Sequence, residues 1–97
     1  MLVALGRFDL RIPGCSSLKE KRHVLKTITA SLRSKFNIAV AEVDHQDLWQ
    51  RATLAVSSVA GEGYHLKRVM HEVERHLATF PAIEVIDAHL SLHGPDD

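Results

Sequence analysis

The sequence predicts an α+β domain with the element order β-α-β-β-α-β. Three observations carry this. Two segments show an apolar stripe at the 3.6-residue period of a helix. Four others show period-two alternation or a β-branched run, as strands do. The middle pair of strands is joined only by a short polar stretch, Glu42 to Arg51, which reads as a hairpin turn.

The first strand covers Leu2 to Ile12. Ala4, Gly6, Phe8, Leu10 and Ile12 fall on one side, and Val3, Leu5, Arg7, Asp9 and Arg11 on the other. Pro13-Gly14 then supplies the fixed φ and the positive φ of a type II turn. Ser17-Leu18-Lys19-Glu20 reads as a capping box with Ser17 as N-cap. Leu18, Leu25, Ile28, Leu32 and Phe36 form the apolar stripe of a helix that runs to about Phe36.

A short strand is expected over Ile38 to Val43 and a longer one over Trp49 to Ala60, with Ala52, Leu54 and Val56 inward. The second helix is expected from about Tyr64, striped by Leu66, Val69, Met70, Val73, Leu77 and Phe80, with Pro81 forcing its end. Ala82 to His93 is the last strand, with Ile86, Ala88, Leu90 and Leu92 on the core side and Val85, Asp87, His89 and His93 opposite. Residues 94–97, Gly-Pro-Asp-Asp, read as a frayed tail to a single domain spanning residues 1–97.

This order is the ferredoxin-like, or split βαβ, plan: a four-stranded antiparallel sheet with two helices on one face. The first and third strands are expected at the centre, parallel to each other, with the second and fourth as antiparallel edges. The other sheet face carries no helix. It should display Val3, Leu5 and Val85 as an apolar part and Arg7, Asp9, Arg11 and Asp87 as a charged part. Such a face meets water, a ligand or a second subunit, and its aliphatic part favours a homodimer.

Composition bounds the function classes. An apolar fraction of 45% and a charged fraction of 25% are ordinary for a globular domain. No apolar run approaches the roughly 20 residues of a membrane span. The first residues lack the basic start and cleavage site of a signal peptide. One cysteine cannot form an internal disulfide, which fits the cytoplasm, the expected location.

A formal net charge of zero hides an asymmetry: residues 1–36 carry eight Lys/Arg against two acids, and residues 37–97 carry four against ten. That polarity suits a polyanionic partner for the first half, or mutual attraction of the two halves in the fold or across a dimer.

The basic residues of the first helix are the leading candidate site. Lys19, Lys26 and Arg33 are spaced by seven, so they form a line of cations along one face, with Arg22 beside them. A phosphate backbone needs little more than this. Lys21, Lys35 and Arg51 are secondary candidates. The alternative is a solvated helix face, although Glu20 is its only acid.

The remaining motifs carry less. Glu42, Asp44, His45 and Asp47 include metal-ligand types, but neighbours in a strand point apart, and Asp is common in turns. A cross-strand Glu42–Arg51 ion pair accounts for two of these charges. An RNA-recognition motif would need aromatics on the central strands, and Phe8 faces the core while Trp49 sits at a strand start. Cys15 reads as a loop thiol. No catalytic residue, metal ligand, cofactor or small-molecule substrate is assigned.

Ser17-Leu18-Lys19-Glu20-Lys21-Arg22, Lys35-Phe36-Asn37 and the run from Ala41 to Ala52 (AEVDHQDLWQRA) resemble the YlxP-like family of small bacterial proteins of unknown function. The resemblance covers almost the whole chain and implies a ferredoxin-like fold. Genes of this family often lie near transcription and translation-initiation factors, and some members are labelled RNA- or ribosome-associated. The implied role is therefore a cytoplasmic one close to translation, and no catalytic residues come with it.

Overall fold

The computed structural model describes residues 1–96. The elements are β1 (Leu2–Arg11), α1 (Leu18–Lys35), β2 (Ala39–Asp44), β3 (Arg51–Ala60), α2 (Gly63–Leu77) and β4 (Glu84–His93). They form the ferredoxin-like α+β fold, with sheet order β2-β3-β1-β4. β1 and β3 are central, but every adjacent pair is antiparallel, β1 with β3 included. The expectation of parallel central strands is wrong for a geometric reason. The α1 crossover returns β2 in the direction of β1, and the following hairpin then reverses β3.

Local chemistry explains the boundaries. The Cys15 N–H donates to the Ile12 carbonyl at 3.3 Å, and Gly14 between them takes φ 75°, closing the expected turn. Ser17 caps α1, accepting from the Glu20 N–H at 3.1 Å. Glu20 reaches one residue further back than a capping box requires, accepting from the Ser16 N–H at 3.1 Å and the Ser16 hydroxyl at 2.9 Å. α2 stops at Leu77, within the limit that Pro81 sets, and the bonds Thr79 N–H to His76 O and Phe80 N–H to Leu77 O then tighten the chain into a turn.

The core lies between the sheet and the two helices. Phe8 and Leu10 of β1 and Leu54 and Val56 of β3 meet Leu25, Ile28 and Leu32 of α1 and Leu66, Met70, Val73 and Leu77 of α2. Burying each aliphatic or aromatic side chain contributes about 1.5–3 kcal/mol. Cys15 belongs to this cluster: it is buried, and its thiol donates to the Ser17 carbonyl at 3.4 Å.

The last strand corrects a second expectation. Asp9 pairs with Asp87, but the next residue, Leu10, pairs with Val85, so β4 carries an extra residue, Ile86. This β-bulge flips the alternation. Val85 packs against the helix-covered core, and Ile86 is left 40% exposed. Val85 therefore drops out of the proposed interface on the open face. Of the expected frayed tail, residues 94–96 follow β4 outside any strand, and Asp97 lies outside the described residues.

Candidate nucleic-acid interface

Lys19, Arg22, Lys26 and Arg33 fall within about 60° of one another around α1 at 3.6 residues per turn. All four are exposed. Arg22, Lys26 and Arg33 line one side of a groove of about 300 Å³ whose other side is the edge strand β2, with Val40, Ala41 and Glu42. The Arg33 guanidinium donates to the Val40 carbonyl at 2.8 Å, which holds its position along that groove.

The structure separates the other predicted cations from this row. Lys21 is 1% exposed, although it stands in the same helix. Its ammonium donates to the carbonyls of His45 at 2.6 Å and Leu48 at 2.7 Å, and pairs with Glu42 at 2.8 Å. The two carbonyls take two N–H bonds of the ammonium, and Glu42 is held by charge, its Oε2 having no hydrogen-bond partner among the described residues. Lys21 is a clamp on the hairpin and cannot contact a phosphate. The Glu42–Arg51 pair expected from sequence does not form, because register sets Glu42 opposite Leu54 on the core side. Lys35 lies on the other flank of α1, beside Glu72, Arg75 and His76. Arg51 stands opposite Arg11 on the open sheet face.

Ion pairing decides what the charge asymmetry does. Three first-half cations reach second-half acids: Arg7 to Asp87 at 3.8 Å, Arg11 to Glu84 at 3.2 Å and Lys21 to Glu42. Attraction between the halves is therefore real. It does not use the stripe: among the described residues no ion pair involves Lys19, Arg22, Lys26 or Arg33.

The hairpin is ordered by the clamp. His45 adopts φ 61°, its N–H donating to the Asp44 carboxylate at 2.8 Å, and Leu48 N–H closes a turn to the His45 carbonyl at 3.0 Å. Gln50 ties the far side to the α1 approach through the Cys15 carbonyl at 3.3 Å. Held this way, Leu48 and Trp49 are each 50% exposed. The acids do not converge: Glu42 faces Lys21 and Asp44 serves its own turn. Among the described residues no three His, Cys, Asp or Glu side chains are grouped to hold a metal ion.

On the open sheet face, Leu5 is 46% and Val59 62% exposed beside the small side chains of Ala39, Ala41, Ala55 and Ser57. Further along, Thr53 donates to Asp9 at 2.7 Å, and Arg7 approaches Asp9 at 3.9 Å.

Residues 3–90 match the family described as Protein of unknown function (DUF503). The chain belongs to this family. A curated relative, the uncharacterized protein YlxP of Bacillus subtilis (strain 168), is 31% identical over 83 residues, covering 86% of this chain and 90% of that one. Among solved structures, the de novo designed protein Ferredog-Diesel aligns with a TM-score of 0.42 at 9% identity, covering 95% of this chain and 84% of that chain. The DUF503 match spans α1, the groove and the hairpin alike. No described helix is long and apolar enough to cross a membrane.

Proposed function

We propose that this DUF503 protein is a non-enzymatic binding protein of the cytoplasm that associates with RNA, free or in the ribosome, through α1. The observation that carries this is the row Lys19, Arg22, Lys26 and Arg33, exposed along one helix face and without ion-pair partners among the described residues. Cations spaced along a groove match a phosphate backbone, whose condensed counterions are released on binding. If all four neutralise phosphates of a single strand, log K falls against log salt with a slope of about −3. The test is RNA binding across a salt series with the wild type and a Lys19→Glu/Lys26→Glu variant. A flat salt dependence, or equal binding by the variant, would overturn the reading.

A second reading rests on Leu5 and Val59, two large apolar side chains exposed on the helix-free sheet face. Stacking that face on its own copy would cover them and make a homodimer. Sedimentation equilibrium at high micromolar concentration, with Leu5→Lys as control, tests it. A wild-type monomer removes this reading.

A further inference from the structure

The hairpin tip is anchored at the end of α1 where the chain enters the helix, the end at which the basic row begins. Lys21, in the first turns of α1, holds the Leu48 carbonyl, and Gln50 holds the Cys15 carbonyl just before the helix. Trp49 lies between these two anchored residues. It is thus fixed at the end of α1 from which the stripe begins, and its side chain is half exposed.

The surroundings of Trp49 are those of a stacking platform. A depression of about 390 Å³ is lined by Asp47, Leu48, Trp49, Gln50 and Arg51. Arg51, one of these residues, has its Nε buried with no hydrogen-bond partner among the described residues. Asp47 repels phosphate but can accept from the amino edge of a base, as can the Gln50 amide oxygen, whose nitrogen is held by the Cys15 carbonyl. The charges thus sort the ligand: phosphates along α1, a base at the tip.

We propose that Trp49 stacks an unpaired base of single-stranded RNA whose phosphates run along Lys19, Arg22, Lys26 and Arg33. The inference rests on the RNA-binding reading above and adds the class of RNA. A base inside a duplex presents no free face to a side chain, whereas single-stranded sites routinely pair a cationic track with aromatic platforms. The platform here lies off the sheet, at a hairpin tip, so the lack of aromatics on the central strands does not count against it.

Trp49 is the only tryptophan, so its fluorescence reports the contact directly. The probe is a single-stranded RNA oligonucleotide, compared with the same sequence annealed into a duplex. Single-stranded RNA is expected to quench Trp49 and to bind more tightly than the duplex. Trp49→Ala, checked for folding by circular dichroism, weakens single-strand binding about ten- to hundredfold while leaving the salt slope unchanged, because stacking is not counterion release. Trp49→Phe keeps most of the affinity. Salt-dependent binding with no quenching and no effect of Trp49→Ala overturns the stacking site and leaves the helix reading standing. Loss of binding to both RNA forms overturns the helix reading itself, and a preference for duplex overturns the single-strand assignment.

Discussion

The Lys21 ammonium and the Glu42 carboxylate meet at 2.8 Å between the first turns of α1 and the end of β2, with Lys21 almost wholly out of solvent. Together with the carbonyls of His45 and Leu48, this contact sets the hairpin on the helix. Removing one partner of a buried pair leaves the other charge without compensation, which costs about 3–5 kcal/mol. Lys21→Met is expected to lose that amount in denaturant unfolding. Adding Glu42→Leu should return part of it, and the rest is held by the two carbonyls left without a donor. A Lys21→Met variant that unfolds at the wild-type midpoint would refute the clamp.

Gly6 sits on the core side of β1, where the Phe8 ring crosses it. A Cβ at position 6 would come to 2.8 Å from Phe8 Cε2 and 3.1 Å from the Met70 sulfur. Overpacking of this kind costs about 1–3 kcal/mol. Gly6→Ala is therefore expected to lower Tm by about 4–8 °C for each kcal/mol lost. An unchanged Tm would mean that Phe8 can swing aside freely.

Gly14 and Gly61 make a matched pair, since neither has an atom within 4 Å of an added Cβ. They differ in backbone: only Gly14 has a positive φ, at 75°. Gly14→Ala should destabilise by about 1 kcal/mol or more through strain, whereas Gly61→Ala should be neutral or stabilise by up to about 1 kcal/mol by restricting the unfolded chain. Equal effects in thermal melts would contradict this account.

β2 is an edge strand, and two of its carbonyls are covered by side chains: Val40 by Arg33 at 2.8 Å and Glu42 by Gln46 at 3.4 Å. Bare strand edges recruit other strands. An Arg33→Ala/Gln46→Ala variant is expected to aggregate faster with rising concentration, by light scattering, while losing only about 1 kcal/mol per bond. Aggregation at the wild-type rate would show that these caps are dispensable.

The fold was legible because its period is local. The stripes of α1 and α2 and the alternation of β1 and β3 repeat within a few residues, and the structure keeps each. Residue type alone makes Lys21 a surface cation, whereas it is buried. Its position held the correction: it is three after Leu18, four before Leu25 and seven before Ile28, inside the buried stripe. The β4 bulge was different. It is created by pairing with β1, far away in sequence, and nothing in residues 84–93 announces it. The Glu42–Arg51 pair failed for the same reason, since register depends on the partner strand. Of the candidate site, the four-residue row on α1 was readable from spacing. The depression at Trp49 was not, because it exists only once Lys21 and Gln50 have anchored the hairpin.

β1 lies at the centre of the sheet, yet its pairing partners come from the other half of the chain: Leu2 against Ala60 on one side and Val3 against His93 on the other. β1, synthesised before both its partners, thus has no hydrogen-bonding neighbour until β3 arrives, and it remains an edge until β4 docks. Closure over such sequence separations carries a loop entropy that contacts must overcome before they stabilise anything. The order of synthesis and the order of sheet assembly are therefore decoupled. The nascent chain holds its central strand unpaired until β3 has emerged and paired on one side only until β4 follows, which makes β1 the strand of this sheet most dependent on protection during translation.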